Sequence, residues 1–423
     1  MSPLPDVSET PSPDDESLAA WLRLVHTPGI GAVTGQLLLR RLGPPEAILQ
    51  ASYATVRTLV RSDETARALL ADDPVREQDI QAALAWLHAG DDRHILALDD
   101  PRYPAALLDL PDAPLLVYAR GSLAALQPAA VAIVGSRRAS HEGLRNAQAL
   151  AEALARRGII VTSGLAEGID AAAHQGALEG APAGQASTIA VTGAGIDRIY
   201  PAHHLPLARR MLEQGGLVLS EQPLGSAPIR ANFPRRNRMI AALSRGTLVV
   251  EAALRSGSLI TARQAAELGR EVMAVPGSIH NPLSHGCHHL IRDGATLIET
   301  VDDILQALGM VSPGQDASDQ ETIRGGRVRA RQHTARRASG RREWQSIIAD
   351  QESGAVEQAP SRPEPPDDDS RDLLTILAAS PMSAEALASR LGWPIDRILI
   401  TIQLLELGGH IGRHVDGRWQ RLD

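Results

Sequence analysis

The chain has 423 residues, 43% of them hydrophobic but only 2% aromatic, and a formal net charge of -8 at pH 7; it is long enough for two or three domains with cores of Ala, Leu, Ile and Val. All 42 basic residues are arginine, the bias a GC-rich genome produces, and this excludes P-loop NTPases, protein kinases and Schiff-base enzymes, each of which needs a lysine. The single cysteine, Cys287, excludes an intramolecular disulfide and any zinc site built on several thiolates, and no run of about 18 apolar residues offers a membrane span.

The opening MSPLPDVSETPSPDDES (residues 1–17) is polar, acidic and proline-rich, so it is expected as a disordered tail. It has neither the cationic nor the apolar region of a signal peptide, and a soluble, cytoplasmic protein with no membrane partner is expected. Residues 18–92 read as a helical N-terminal domain in which LAAWLRLV and GQLLLRRLG are joined by HTPGIGA. Pro28, Gly29 and Gly31 stand just before a helix start. Either their amides point outward and hold a phosphate, as in a helix-hairpin-helix, or the segment is a tight turn between packed helices.

From 93 to 308 short apolar runs alternate with amphipathic stretches. VAIVG (131–135), IIVTS (159–163), TIAVT (188–192), LVLSE (217–221), TLVVE (247–251) and EVMAV (271–275) read as buried strands of a doubly wound, mostly parallel α/β sheet with helices on both faces. Ligands of such sheets bind outside the C-terminal strand ends. There the chain supplies Gly135, Ser136, Arg137 and Arg138 after the first run, Ser163 and Gly164 after the second, and a Ser256-Gly257-Ser258 helix start after the fifth. These are amides, hydroxyls and guanidinium groups suited to phosphate. After TIAVT, Gly193 and Gly195 begin a dinucleotide fingerprint, but Arg198 holds its last glycine position, which argues against NAD.

The only phenylalanine, Phe233, lies in ANFPRRNRMI with Asn232, Arg235, Arg236 and Arg238. Two roles stand open for it: stacking on a nucleobase, or anchoring the loop as the hydrophobic staple of a helix start so that the arginines project from a fixed base. Residues 309–370, with eight arginines between Arg324 and Arg342 followed by PEPPDDD, read as a disordered linker. Residues 371–423 read as a winged helix, with a presumed recognition helix near 394–407 that carries Arg397 alone as a cation and a hairpin around Asp416-Gly417.

The order and content of VAIVGSRRAS, SGLAEGIDAAAH, TIAVTGAGIDRIYP, LSEQPLG, NFPRRNRMIAALSRGTLVVEAALRSGSLITA, GREVMAVPG and GCHHLIRDGA resemble the DNA-processing protein A family (DprA, also called Smf). The resemblance covers roughly residues 95–308. It implies an extended Rossmann-like fold, flanked by an N-terminal SAM/helix-hairpin-helix-like domain and a C-terminal winged helix. It further implies a protein that binds single-stranded DNA, forms a homodimer and loads the RecA recombinase on incoming DNA during natural transformation, without cofactor, metal or catalysis. Carried over by position, it makes Gly135, Ser136 and Arg137 a phosphate contact with Ser163 and Gly164 beside them. Arg235, Arg236, Arg238 and the Ser256-Gly257-Ser258 turn line the same groove, with Arg138, Asn232 and Phe233 completing the candidate set.

Other chemistries compete. Glu251 and Arg238 could act as the acid and the arginine of a nucleotide phosphoribohydrolase on the same scaffold, although that group's PGGxGTxxE run is absent. His280, His285, Cys287, His288 and His289 fall within ten residues, a donor set that suits zinc. No GxSxG occurs, and His174, after three alanines, reads as a helix-packing residue.

Overall fold

The computed structural model describes residues 13–182 and 184–310 and, nearer the C-terminus, 368–377, 382–395, 397–398, 401–402, 405, 411–413 and 419–421. The expected tail over 1–12 and the expected linker over 311–367 lie outside these residues. The chain divides into two units, Met1–Arg324 and Gly325–Asp423.

The first unit begins with six helices: α1 (Pro13–Val25), α2 (Ala32–Leu42), α3 (Pro45–Leu49), α4 (Tyr53–Leu59), α5 (Asp63–Leu70) and α6 (Pro74–His88). Helix α1 starts inside the segment that composition assigns to the tail. Its first turn suits Asp15 and Glu16 near the positive end of the helix dipole. Tertiary partners hold it as well, since Ser17 Oγ donates to Glu46 at 2.8 Å and Asp15 lies 3.2 Å from His88 Nε2. Ser52, Ser62 and Asp73 cap α4, α5 and α6 and satisfy amides that a helix start leaves open. In the HTPGIGA turn, Thr27 is buried, donates to Arg23 O at 2.7 Å and accepts from Arg76 Nη1 at 3.1 Å, so the turn packs between helices. The helical core (Trp21, Leu22, Leu38, Ile48, Ile80) continues into Ile95, Leu116 and Tyr118 of the sheet.

Nine strands form that sheet: β1 (Arg93–Ala97), β2 (Leu116–Gly121), β3 (Ala130–Val134), β4 (Ile160–Ser163), β5 (Thr188–Thr192), β6 (Leu217–Ser220), β7 (Gly246–Val249), β8 (Glu271–Ala274) and β9 (Thr296–Leu297). Their order is β1-β2-β6-β5-β4-β3-β7-β8-β9. All pairs from β6 to β9 are parallel, while β1 pairs antiparallel with β2 and β2 with β6. The six apolar runs are β3 to β8. They are legible because a strand covered on both faces is apolar throughout; β1, β2 and the two-residue β9 carry weaker patterns. The interleaved helices are α7 (His141–Arg156), α8 (Ile169–Gly180), α9 (Leu205–Glu213), α10 (Asn232–Leu243), α11 (Gly257–Glu267), α12 (His285–Arg292) and α13 (Val301–Ala307). From β3 the chain winds outward to β6 and then restarts on the other side at β7. The strand order therefore reverses between β3 and β7, and all their C-terminal ends open on one edge.

The second unit contains α14 (Asp368–Leu377), α15 (Ala384–Leu391) and an antiparallel pair, β10 (Ile411–Arg413) and β11 (Trp419–Arg421). Ile398, Ile402 and Leu405, from the presumed recognition segment, are buried in its core with Leu373, Leu387 and Trp419. Arg397 is exposed, its guanidinium carbon 4.3 Å from the Trp393 ring centre. The turn expected at Asp416-Gly417 lies outside the described residues.

Candidate nucleic-acid interface

Three successive strand ends and the start of α10 enclose a cleft on the sheet edge. After β3 the chain turns sharply: Ser136 N donates to Glu251 O at 2.7 Å and Ser136 Oγ accepts from Arg138 N at 3.1 Å. This leaves Arg137 and Arg138 exposed. After β4, Ser163 is buried and its hydroxyl donates to Ile133 O at 2.6 Å, so it frames the site from below without a free donor. Asn232 anchors α10 over the end of β5 by donating from Nδ2 to Gly193 O at 3.1 Å.

One turn into α10, Arg236 passes under the cleft. It is 5% exposed and its Nη1 donates to Val191 O at 2.8 Å. Gly164 is what lets it through: a Cβ there would lie 1.8 Å from Arg236 Nη1. Among the described residues no carboxylate lies within 4.0 Å of Arg236, and its Nε has no hydrogen-bond partner. Burial lowers its pKa to about 10, which leaves it charged at neutral pH. Asp170, at the start of α8, is buried; burial raises its carboxyl pKa and the Arg236 charge opposes the rise.

The walls are Arg137, Gly164, Ala166, Glu167, Thr192, Gly193, Ala194, Tyr200, Pro201, Pro228 and Phe233. The half-buried Phe233 ring lies 6.0 Å from Tyr200, with the Arg137 and Arg236 guanidinium carbons 5.1 and 5.9 Å from its centre. Phe233 thus lines the cleft between two cations, outside the sheet core. The candidates that meet in the cleft are Arg137, Gly164, Phe233 and Arg236. Gly135, Ser136, Ser163 and Asn232 support it, while Arg138 and Arg235 are exposed at its margin. The cleft also takes in Tyr200, Pro201 and Thr192, which the sequence motifs do not mark; one of only four tyrosines, next to a Gly-rich strand end, is the signal the sequence offers.

Several expectations change. Arg238, two residues beyond Arg236, is 6% exposed and bonds both Glu221 oxygens at 2.7 Å, with Asp112 at 3.3 Å from its Nε; it is a structural ion pair. Ser256 caps α11, its Oγ 2.6 Å from Ser258 Oγ, and Gly257 O accepts from Asn237. This turn is not among the walls of the cleft. Glu251, offered above as an acid, is bonded to Ser140 and Asn281, so it and Arg238 are both committed to structure.

The histidine-rich segment disperses its donors. His285 bonds Ile279 O, His288 bonds Gly277 O and His289 pairs with Asp293. Cys287 is buried, its thiol pushed up to about 12 by burial. Among the described residues no group of three or more His, Cys, Asp or Glu is placed to hold a metal. His174 is fully buried, bonded to Thr188 Oγ1 at 2.7 Å, and burial takes its pKa down to about 3, so it stays neutral in the α8 interface. No helix among the described residues is long and apolar enough to cross a membrane.

The central domain is a doubly wound, mostly parallel Rossmann-like sheet with an arginine-lined, partly aromatic cleft at its strand ends. The family model for DNA recombination-mediator protein A matches residues 94–309, and that for the DprA winged helix domain matches residues 357–417. The chain belongs to the DNA-processing protein A (DprA/Smf) family. It is 48% identical over 231 residues to Protein Smf of Escherichia coli, covering 55% of this chain and 60% of that protein. It is 45% identical over 206 residues to DNA processing protein DprA of Streptococcus pneumoniae, covering 49% and 71%. The X-ray structure of DprA from Streptococcus pneumoniae superposes with a TM-score of 0.58 at 33% identity, over 70% of this chain and 98% of that one.

Proposed function

We propose that the cleft binds single-stranded DNA, with a backbone phosphate against Arg236 and Arg137 and a base against Phe233 and Tyr200. The observation that carries this reading is Arg236, a buried guanidinium that faces buried Asp170 without forming an ion pair within 4.0 Å and keeps an unmet Nε donor. A buried cation is costly unless paired, and an anionic ligand supplies the missing partner. Exposed Arg138 and Arg235 extend the positive surface along the strand. Stacking on an aromatic wall requires a base freed from its duplex neighbours, which favours single strands.

In this reading residues 93–308 form the DNA-binding domain, flanked by domains at 18–92 and 371–423. The protein acts as a homodimer that protects incoming DNA in the cytoplasm and loads the RecA recombinase on it during natural transformation. Its work is binding rather than catalysis. Gel shifts and fluorescence anisotropy with matched single-stranded and duplex DNA test it. If three to five phosphates are neutralised, log affinity falls against log salt with a slope of about -2 to -3.5, at roughly 0.7 per phosphate. A slope near zero, or a preference for duplex, refutes the reading.

A further inference from the structure

In doubly wound sheets the ligand phosphate ordinarily sits where the strand order reverses, on the N-terminus of the following helix. Here that position lies between β3 and β7, in front of the 16-residue helix α7. It is filled from within the chain. Glu251, just beyond β7 and 6% exposed, turns its carboxylate onto the start of α7. One oxygen accepts from Ser140 N at 2.8 Å, and the other from Ser140 Oγ at 2.6 Å and Asn281 Nδ2 at 3.3 Å. Gly143 makes the space: a Cβ there would lie 2.5 Å from Glu251 Cδ.

A carboxylate so placed does for this helix start what a bound phosphate does elsewhere: it brings negative charge and acceptor oxygens to an amide, a hydroxyl and the positive end of a dipole. We infer that Glu251 is an internal anion occupying the phosphate position of this Rossmann-like fold, and that it closes the β3/β7 crevice to free phosphate and nucleoside monophosphates. The Arg236 cleft, at the ends of β3, β4 and β5, is then the anion site left open on this edge. That last step rests on the proposed function; the closure of the crevice does not. The same residue ties down the Ser136–Ser140 loop that carries Arg137 and Arg138, because Ser136 N also donates to Glu251 O.

The test titrates inorganic phosphate and AMP against full-length protein, with chloride matched for ionic strength, reading thermal midpoint and isothermal heat. An Arg236→Met background keeps the open cleft from contributing. In that background Glu251→Ala exposes the Ser140 donors and is expected to bind phosphate saturably, about tenfold or more tighter than the same protein with Glu251 intact. Glu251→Gln, which still fills the space, gains nothing, and adding Ser140→Ala to Glu251→Ala removes the gain. The inference is overturned if protein with Glu251 intact binds phosphate as tightly, if a cooperatively folded Glu251→Ala protein gains no affinity, or if the gain survives Ser140→Ala. Should Glu251→Ala fail to fold, the wild type decides. Phosphate that slows hydrogen exchange at the Ser140 and Gly143 amides overturns the closure, and unchanged exchange there supports it. Loss of single-stranded DNA binding in Arg236→Met alone reports separately on the proposed function.

Discussion

Replacing Arg236 by Met leaves an apolar stem of similar length under the cleft and deletes its buried charge. Three effects on stability combine. The hydrogen bond to Val191 O is lost, about 1–3 kcal/mol for a buried acceptor left unsatisfied, and buried Asp170 loses the charge that opposes the rise of its carboxyl pKa, while a buried cation with no ion pair no longer has to be desolvated. The net change is expected to stay within about 1–2 kcal/mol. Binding has no such compensation. A charge-assisted contact to phosphate contributes about 1.5–3 kcal/mol, so affinity for single-stranded DNA is expected to fall roughly 10- to 150-fold, and the salt slope to become shallower by about 0.7. Anisotropy of a labelled oligothymidine at several salt concentrations measures both, with urea melts monitoring the fold. Arg138→Ala, which removes an exposed charge, is expected to cost below about 1 kcal/mol. Arg238→Ala strands the partly buried Glu221 and is expected to lower stability by about 2–4 kcal/mol. A folded Arg236→Met protein with wild-type affinity and slope, or with no larger loss than Arg138→Ala, refutes the reasoning.

Gly164→Ala puts a methyl group into the space of the Arg236 guanidinium; it is expected to destabilise by about 1–3 kcal/mol and to reproduce the Arg236→Met loss of DNA affinity, as melts and anisotropy on the same samples will show. Phe233→Ala removes a half-buried ring from the cleft wall, so affinity is expected to fall by about 1–3 kcal/mol with a smaller loss of stability. A fall in melting temperature with unchanged affinity would make Phe233 an anchor only. Burial holds the folded pKa of His174 at about 3, against 6.5 ordinarily. The unfolded chain therefore takes up this proton below pH 6.5 while the folded one does not, and stability is lost as pH drops from 6.5 toward 3, by about 1.4 kcal/mol per pH unit. Urea melts of His174→Asn should show a correspondingly flatter acid limb; an unchanged limb would assign acid sensitivity to other groups.

The central strands were legible because a parallel strand buried on both faces must be apolar along its length, whereas β1 and β2, at the antiparallel edge, mix Arg93, His94 and Arg120 into their patterns. The edge on which the cleft opens was legible too, since sharp turns at strand ends need Gly and Ser. Helix α1 begins inside the expected tail: Asp15 and Ser17 read as polar tail residues until His88 and Glu46, far along the chain, are brought against them. The histidine cluster misled in the opposite direction, because proximity in sequence says nothing of where helix α12 aims each ring.

The amino-acid sequence by itself determined the parallel centre of the sheet, the family and the edge on which the cleft opens, since these follow from apolar runs and turn residues that act locally. It did not decide which arginines face the cleft. Arg236 and Arg238 read alike in RRNR, but two residues along a helix turn a side chain about 200°, so one reaches the cleft beneath Gly164 and the other meets Glu221 and Asp112. Nor could it show that Glu251 closes the α7 start, a contact between residues 111 positions apart. Charge acts through distance in space, and only the folded chain sets which charges are answered by an ion pair and which are not.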